Sequence, residues 1–571
     1  MPIQNAEIAA MLDQTADLLE IEGANPFRVR AYRRAARTIE TLPQSVASLV
    51  AAHEDLSELP GIGEDLAGKI SKIVSSGKFE LLQSLKRRLP GDLGEMAGVP
   101  GLGPKRVKLL YDRLHIDTLN KLRRAARSGR IRELKGFGEK TEQKILSALK
   151  KRVVTQKRFK LPAAEEEAQA LIIHLKPTVD EITVAGSYRR RRETVGDLDI
   201  VATARETSAP GDHLVRYENT AEILAHGATR TTVMLRSGLQ VDMRVVPARS
   251  FGAAMLYFTG SKAHNIALRS LANEHGWKLN EYGLFDGNRR IAGATEEEIY
   301  KKLGLAFVPP ELREDRGEVE LARKRQLPDL IDLDDIRGDL HAHTDWSDGT
   351  ATIADMAAAA RERGYEYLAI TDHSRRVTVA RGLTADRLAR QIEQIDRLNA
   401  KLDGFTLLKG TEVDILENGK LDLPDSILVR LDVVVAAVHY KFDLTRTAQT
   451  QRIIRAMDNR YVNIIAHPTG RLLEKREPYA IDIDRLVEAA QERRCCLEIN
   501  AEPERLDLND IHAQTAKAKG VKLAISTDAH APSALGHMRF GVDQARRGWL
   551  EASDVINTHS LAGLKKLLRR Y

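Results

Sequence analysis

Cysteine is nearly missing: the 571 residues include two, Cys495 and Cys496, adjacent in an apolar, strand-like segment where sequence neighbours are poorly placed to pair. A disulfide framework is not expected, and both read as core side chains in a reducing compartment. Long apolar runs are missing too. No stretch of about 18 uncharged apolar residues occurs, and the N-terminus, where Glu7 and Asp13 follow Met1 and Pro2, has no basic region ahead of an apolar one. A membrane protein is not expected, and the chain reads as cytoplasmic.

At 571 residues and 43% hydrophobic, the chain exceeds one compact fold, since single cores rarely grow past ~300 residues. Its net charge of +7 is unevenly spread: residues 86 to 160 hold 22 Lys+Arg against 7 Asp+Glu, a local +15 that leaves −8 elsewhere. On charge alone that stretch fits a solvated helical face or a binder of phosphate backbones. Motifs within and beside it favour the second. Residues 1 to 150 show helical spacing broken by three similar turns: Leu59-Pro60-Gly61-Ile62-Gly63, Val99-Pro100-Gly101-Leu102-Gly103 and Leu134-Lys135-Gly136-Phe137-Gly138. Glycine ends many helices for structural reasons alone. Three turns, two of them beside Lys or Arg such as Lys105, resemble helix-hairpin-helix motifs, whose bare amides grip phosphates without reading sequence.

From about residue 180 the pattern changes to period-2 alternation. In Gly186-Ser187-Tyr188-Arg189-Arg190-Arg191-Arg192-Glu193-Thr194-Val195-Gly196-Asp197-Leu198-Asp199, a strand places Asp197 and Asp199 on one face, with Leu198 and Ile200 in the core. Asp242 stands alone among Val241, Met243 and Val245 on another expected strand. Three converging carboxylates repel one another unless cations join them, which suggests two Mg²⁺ (or Mn²⁺) able to activate a primer 3′-hydroxyl and hold a triphosphate.

These residues resemble a family X DNA polymerase similar to DNA polymerase beta, over about residues 1 to 315. Tyr257-Phe258-Thr259-Gly260-Ser261, followed by Asn265 and Arg269, is similar to the family's thumb motif. The resemblance implies that Asp197, Asp199 and Asp242 hold the metals, and that Ser187 and Arg190, with Gly186 and Gly196 shaping the loop, meet the phosphates of the dNTP. It implies a nucleotide pocket of Tyr257, Phe258, Gly260 and Asn265, with Arg269 near the templating base, and DNA contacts at Gly61, Gly63, Gly101, Gly103, Lys105, Gly136 and Gly138. It also implies that Lys69, beside Asn25-Pro26-Phe27-Arg28, aligns with a Schiff-base nucleophile removing 5′-deoxyribose phosphate. The chain departs from the family at Asp65, where a second lysine is usual.

The C-terminal half opens with Gly338-Asp339-Leu340-His341-Ala342-His343-Thr344-Asp345-Trp346-Ser347-Asp348. Histidines at i and i+2 of a strand point the same way and can share a metal. Asp372-His373, Glu412, His439, His467 and Asp528-Ala529-His530 each follow an apolar run, as an α/β barrel with its site at the strand C-termini requires. The set resembles the PHP (polymerase and histidinol phosphatase) domain across about 336 to 571. The implied ligands are His341, His343, Asp348, His373, Glu412, His439, His467, Asp528 and His530, holding up to three ions. Nitrogen and carboxylate donors suit Zn²⁺, Mn²⁺ or Fe²⁺.

The expected architecture is multidomain. Residues 1–88 form a helical DNA-binding, lyase-like domain and 89–155 helix-hairpin-helix fingers. An α+β nucleotidyltransferase palm (156–255) and thumb (256–315) follow, then a linker (316–335) and an α/β distorted barrel of PHP type (336–571). The expected function is gap-filling DNA synthesis on gapped or nicked duplex irrespective of sequence, by a monomer. The PHP half is expected to act as a 3′-5′ exonuclease, 3′-phosphatase or abasic-site endonuclease. The alternative is a nuclease whose polymerase half only holds DNA.

Overall fold

The computed structural model describes residues 5–42, 46–89, 93–97, 99, 102–134, 136–139, 141–143, 145–146 and 158–569. The chain divides into two units, Met1–Lys157 and Arg158–Tyr571. Among the described residues no helix is long and apolar enough to cross a membrane.

The first unit is helical. Asn25 accepts a hydrogen bond from the amide of Phe27 and, with Pro26 at the first helical position, fixes the start of helix Pro26–Thr41. Ile8, Leu12 and Leu19 of helix Asn5–Glu22 share a core with Tyr32 and Ile39, and with Ile70, Leu110 and Leu122 of later helices. At the glycine turns, Gly61 and Gly136 take φ of +78° and +95°, where only glycine is unstrained. Gly63 and Gly103 stand directly ahead of helices Glu64–Ser76 and Pro104–Leu114, and a side chain at either would meet open space. Gly101 lies outside the described residues. At the third turn, fully buried Glu142 accepts from the amides of Ile131 and Arg132 and from the Arg132 guanidinium.

In the second unit, strands Glu181–Val184, Asp197–Thr203, Gln240–Val245, Arg230–Leu235 and Thr220–His226 form a five-stranded sheet in that order. Asp197–Thr203 and Gln240–Val245 run parallel to each other; the other pairings are antiparallel. Along Gln240–Val245, Val241, Met243 and Val245 are buried while Gln240, Asp242 and Arg244 are less so, the alternation of a strand with one face in the core. A three-stranded antiparallel sheet follows, Trp277–Asn280, Gly283–Asp286 and Arg289–Ala292, with helices Phe251–Thr259 and Lys262–Glu274 ahead of it.

Beyond residue 336 the pattern is strand-helix, and seven parallel strands pair in sequence order, from Gly338–Asp339 to Leu523–Ser526. Strands such as Tyr367–Ile370 and Val433–Ala437 are buried at every residue, as a parallel sheet covered on both faces demands. A further bridge pairs Ala342 with Ala529, just beyond the first and last strands. That bridge nearly closes the sheet into a barrel.

Residues 316–335, expected as a linker, are folded. They contain helix Glu318–Lys324, whose fully buried Glu318 shares a hydrogen bond with His264 at 2.6 Å, while Arg316 pairs with Asp510 at 2.7 Å. Two of its charges are thereby tied to partners distant in sequence. The same theme joins sheet and barrel: Arg191 meets Asp543 at 2.6 Å and Glu193 meets Arg471 at 2.7 Å. Leu161 packs with Leu473, Leu506 and Phe540, and Tyr188 lies against them.

Candidate active sites

Asp197 and Asp199 are carried by one strand, and the parallel register sets Asp199 directly beside Asp242. The hydrophobic anchors are Leu198, Ile200, Val241 and Met243, all in one core. Gly186, at φ +65°, makes room: a Cβ there would collide with the Asp199 carboxylate. Burial, and then the charges of Asp197 and Asp242, push Asp199 up to about 7. Asp197 is also raised, by burial and by Asp242. Asp242 accepts from Thr232 Oγ1 at 2.6 Å and from the Gln240 amide at 2.5 Å. Asp197 and Asp199, both raised with Asp242 beside them, form with it a site that divalent cations fit.

Beside it, the short helix Gly186–Arg189 presents Ser187. Arg190 is turned toward the fold, donating to the Thr259 carbonyl and to Glu314 at 3.1 Å. Arg189 is clamped by Glu296 at 2.6 Å and Thr259 at 2.8 Å. Tyr257, Asn265 and Arg269 line one pocket, with Leu279 and Asn280 opposite. The Asn265 amide donates to the Tyr257 carbonyl at 2.7 Å, and Arg269 donates to that of Asn265 at 3.2 Å. Phe258 stands edge-on to Tyr257 with ring centroids 5.1 Å apart.

At the barrel mouth, three groups have donor atoms mutually within 4.8 Å: His343, Asp348, His373 and His530; His341, His343 and Asp528; and His373, Glu412 and His439. His343 and His373 each belong to two groups. The ninth expected residue, His467, reaches Glu412 at 3.0 Å. His467 and Asp528 hold φ of +29° and +54°, strained for side chains with a Cβ and kept where the surroundings enforce it.

Electrostatics favour cations here. Burial would raise Glu412, but His439, His373 and His341 hold it well below the usual carboxylate range. Burial, and then the charges of His373 and His530, push His343 down to about 3, leaving it neutral as a ligand must be. Burial opposes a proton on His373, yet Glu412 and Asp348 raise it to about 10. His341 Nε2, both nitrogens of His343, Glu412 Oε2 and His467 Nδ1 are buried without a hydrogen-bond partner. Buried orphan atoms of ligand type, aimed together, fit the expected metal cluster.

Five stretches of the chain match known families: the helix-hairpin-helix domain at residues 3–79, the SAM-like helix-hairpin-helix tandem at 93–151, the DNA polymerase beta palm at 160–257, the DNA polymerase beta thumb at 254–314, and the PHP domain at 339–502. Over 570 residues, 99% of both chains, it is 39% identical to the DNA polymerase/3′-5′ exonuclease PolX of Bacillus subtilis (strain 168). The chain belongs to the family X DNA polymerases that carry a C-terminal PHP domain. This family X polymerase also has relatives by parts. A probable phosphatase of Thermoanaerobacter sp. (strain X514) is 33% identical over 234 residues, 38% of this chain and 89% of that protein. DNA polymerase lambda of Rattus norvegicus is 24% identical over 341 residues, 54% and 56% of the two.

Two surroundings bear on the expected residues of the helical unit. Lys69 is ion-paired with Asp65; burial disfavours its charge, but hydrogen bonds to Asp65 and Tyr32 outweigh that and raise it. A Schiff-base nucleophile reacts as the neutral amine, whereas the Asp65 and Tyr32 contacts favour the charged one. The turn at Gly61 and Gly63 opens a helix with Glu64 and Asp65 in its first turn, whereas the turn at Gly103 is followed by Lys105 and Arg106. Acids there already answer the helix dipole and repel phosphate.

Several site residues were missed from sequence. Glu498, fully buried in strand Cys496–Asn500, shares a 2.7 Å hydrogen bond with His341 Nδ1 and accepts one from the His467 amide at 2.7 Å. Asp414 stands 3.5 Å from His439 Nδ1. For Glu498, an acid between Leu497 and Ile499 was the available signal. Asp372, beside His373, is instead occupied by Thr344, Ser347 and Gln391.

Proposed function

We propose that this family X polymerase fills short gaps in DNA during repair, and that its PHP barrel trims 3′ ends as a 3′-5′ exonuclease. Its substrate is gapped or nicked duplex of any sequence, and it works as a monomer in the cytoplasm. The single observation that carries the reading is Asp199 in register with Asp242, beside Asp197.

Two Mg²⁺ held by these three carboxylates would supply an acidified 3′-hydroxyl and neutralise the triphosphate. Thr232 and Gln240 fix the rotamer of Asp242. Ser187 donates to a phosphate oxygen, and Arg190 reaches the phosphates by exchanging Glu314 for them. Tyr257, Asn265 and Arg269 seat the base and its template partner. In the barrel, Zn²⁺, Mn²⁺ or Fe²⁺ would supply Lewis acidity toward phosphorus. Glu498 holds His341 in one tautomer and orientation for such an ion. The product 3′-hydroxyl is what the polymerase site extends, so trimming and synthesis follow in order on one chain.

The test is a labelled one-nucleotide-gap duplex with a blocked 3′ end, incubated with Mn²⁺ and dNTPs. Wild type is expected to trim and then extend. Asp199→Ala should trim without extending, and His341→Ala should extend an unblocked primer without trimming. Equal extension by wild type and Asp199→Ala would overturn the polymerase reading and leave a nuclease with a DNA-holding half.

A further inference from the structure

The metal cluster has a cationic neighbour that it does not need. Arg505 Nε lies 3.5 Å from Asp528 Oδ2, with its side chain 21% exposed. Its loop is firmly built: the amides of Arg505 and Leu506 both donate to the Glu502 carbonyl, at 2.8 and 3.0 Å, and the amide of Asn500 donates to the Asp507 carbonyl at 2.6 Å. Leu506, at 1% exposure, anchors the loop in the apolar cluster with Leu161 and Phe540. The guanidinium is thus held at the barrel mouth, within electrostatic reach of Arg476. Once Asp528 serves a metal, a fixed arginine beside divalent cations is repelled unless an anion comes between them. A phosphodiester is such an anion, and a guanidinium is well shaped to take two of its oxygens.

Next to this arginine is a cleft of about 380 Å³ lined by Phe442, Arg476, Pro478 and Tyr479, with exposed Asp443 and Glu477 at its rim. Phe442 is three residues beyond His439, a stretch of chain of at most about 10 Å. The Arg476 guanidinium lies 4.2 Å over the Phe442 ring, and its Nε is tied to the Gly470 carbonyl at 2.9 Å. Phe442 in turn stacks on Tyr479, with centroids 6.0 Å apart and planes 14° from parallel. Aromatic and guanidinium planes that stack on bases are how single strands are held without sequence preference.

We infer that Arg505 and the Phe442–Arg476 cleft form the strand track of the barrel's metal centre. Arg505 takes a non-bridging oxygen of the scissile phosphodiester, and the cleft stacks the nucleotide adjoining it. Water adds to phosphorus, the P–O3′ bond breaks, and the departing oxygen takes a proton to become the new 3′-hydroxyl while a 5′-mononucleotide leaves. Arg505 is a catalytic residue in this scheme, since it meets charge gathering on the phosphoryl oxygens. This rests on the nuclease reading above.

The experiment compares two substrates with full-length protein in Mn²⁺: a 3′-labelled single-stranded oligonucleotide, and bis(p-nitrophenyl) phosphate, which offers a diester but no strand. For Phe442→Ala and Arg476→Ala, KM for the oligonucleotide is expected to rise about 5- to 100-fold, with the small diester moving less than about twofold. For Arg505→Ala both substrates should lose about 100-fold or more in kcat/KM, with Arg505→Lys intermediate and bound Mn²⁺ unchanged. Melting curves matching wild type confirm that each variant folds. If wild type trims the oligonucleotide and the cleft variants trim it equally well, or lose both substrates alike, the track is wrong while the nuclease reading stands. If Arg505→Ala stays within about threefold of wild type, its catalytic role is wrong. Wild type that hydrolyses neither substrate removes the nuclease reading and the track together.

Discussion

Arg547 donates to the backbone carbonyl of Arg190 at 2.7 Å, so a residue of the barrel holds the turn that carries the expected triphosphate contacts. Arg547 is 2% exposed and also pairs with Asp510 at 2.6 Å and Glu314 at 3.1 Å. Burial would raise Glu314, yet Arg547, Arg190 and Arg192 bring it down to about 2. Removing one partner of a buried ion network costs about 3–5 kcal/mol. Arg547→Met should therefore melt several degrees lower and show a KM for dNTP raised severalfold. Wild-type melting and KM in that variant would show the contact to be idle.

The polymerase carboxylates make a pH prediction. Asp199 is raised to about 7 from an ordinary value near 3.9, so between about pH 4 and 7 the folded chain binds more protons than the unfolded one. Stability of metal-free protein contributed by this group is therefore present at low pH and lost as pH rises across that window. In EDTA, Asp199→Asn is expected to gain on the order of 2 kcal/mol over wild type at pH 8 and nothing at pH 4. Mg²⁺ should reverse the difference at pH 8. Thermal melts at the two pH values decide it, and a variant less stable than wild type at pH 8 in EDTA would refute the raised value.

Glu498 offers a separation of the two activities. Glu498→Gln keeps the shape but removes the charge that orients His341 through Nδ1. Loss of such a partner weakens metal affinity about 10- to 100-fold. Mn²⁺ titration of trimming should shift by that factor while primer extension in Mg²⁺ holds. An unshifted titration would show that the Glu498 charge plays no part in metal binding.

Lyase chemistry is testable through the ion pair that suppresses it. With Lys69 raised by Asp65 and Tyr32, borohydride trapping on DNA bearing 5′-deoxyribose phosphate is expected near background at pH 7.5. Asp65→Asn should increase the trapped adduct, by only a few-fold because an exposed i,i+4 pair is weak. Strong trapping by wild type would reinstate the nucleophile.

What was legible in the sequence is what depends on local period. Alternation put Asp197 and Asp199 on one face because every second residue of a strand shares a side, and the imidazoles and acids of the barrel betrayed themselves by following apolar runs. The register that sets Asp242 beside Asp199 is a tertiary fact, fixed by Leu198, Ile200, Val241 and Met243 packing in one core. Glu498 and Arg505 escaped because their roles are defined by partners far away in sequence, His341 and Asp528. Residues 316–335 were read as a linker for a like reason: the partners that fix Arg316 and Glu318, Asp510 and His264, are also distant in sequence.

The ion pairs and apolar cluster that fasten the barrel to the sheet bear on how the two activities are taken apart genetically. A truncation ending before residue 336 discards the metal ligands, but it also strips Arg191, Glu193 and Tyr188 of Asp543, Arg471 and Phe540. Loss of synthesis in such a truncate would report a damaged support, with no bearing on whether trimming feeds extension. Point changes confined to the barrel mouth are the cleaner scalpel.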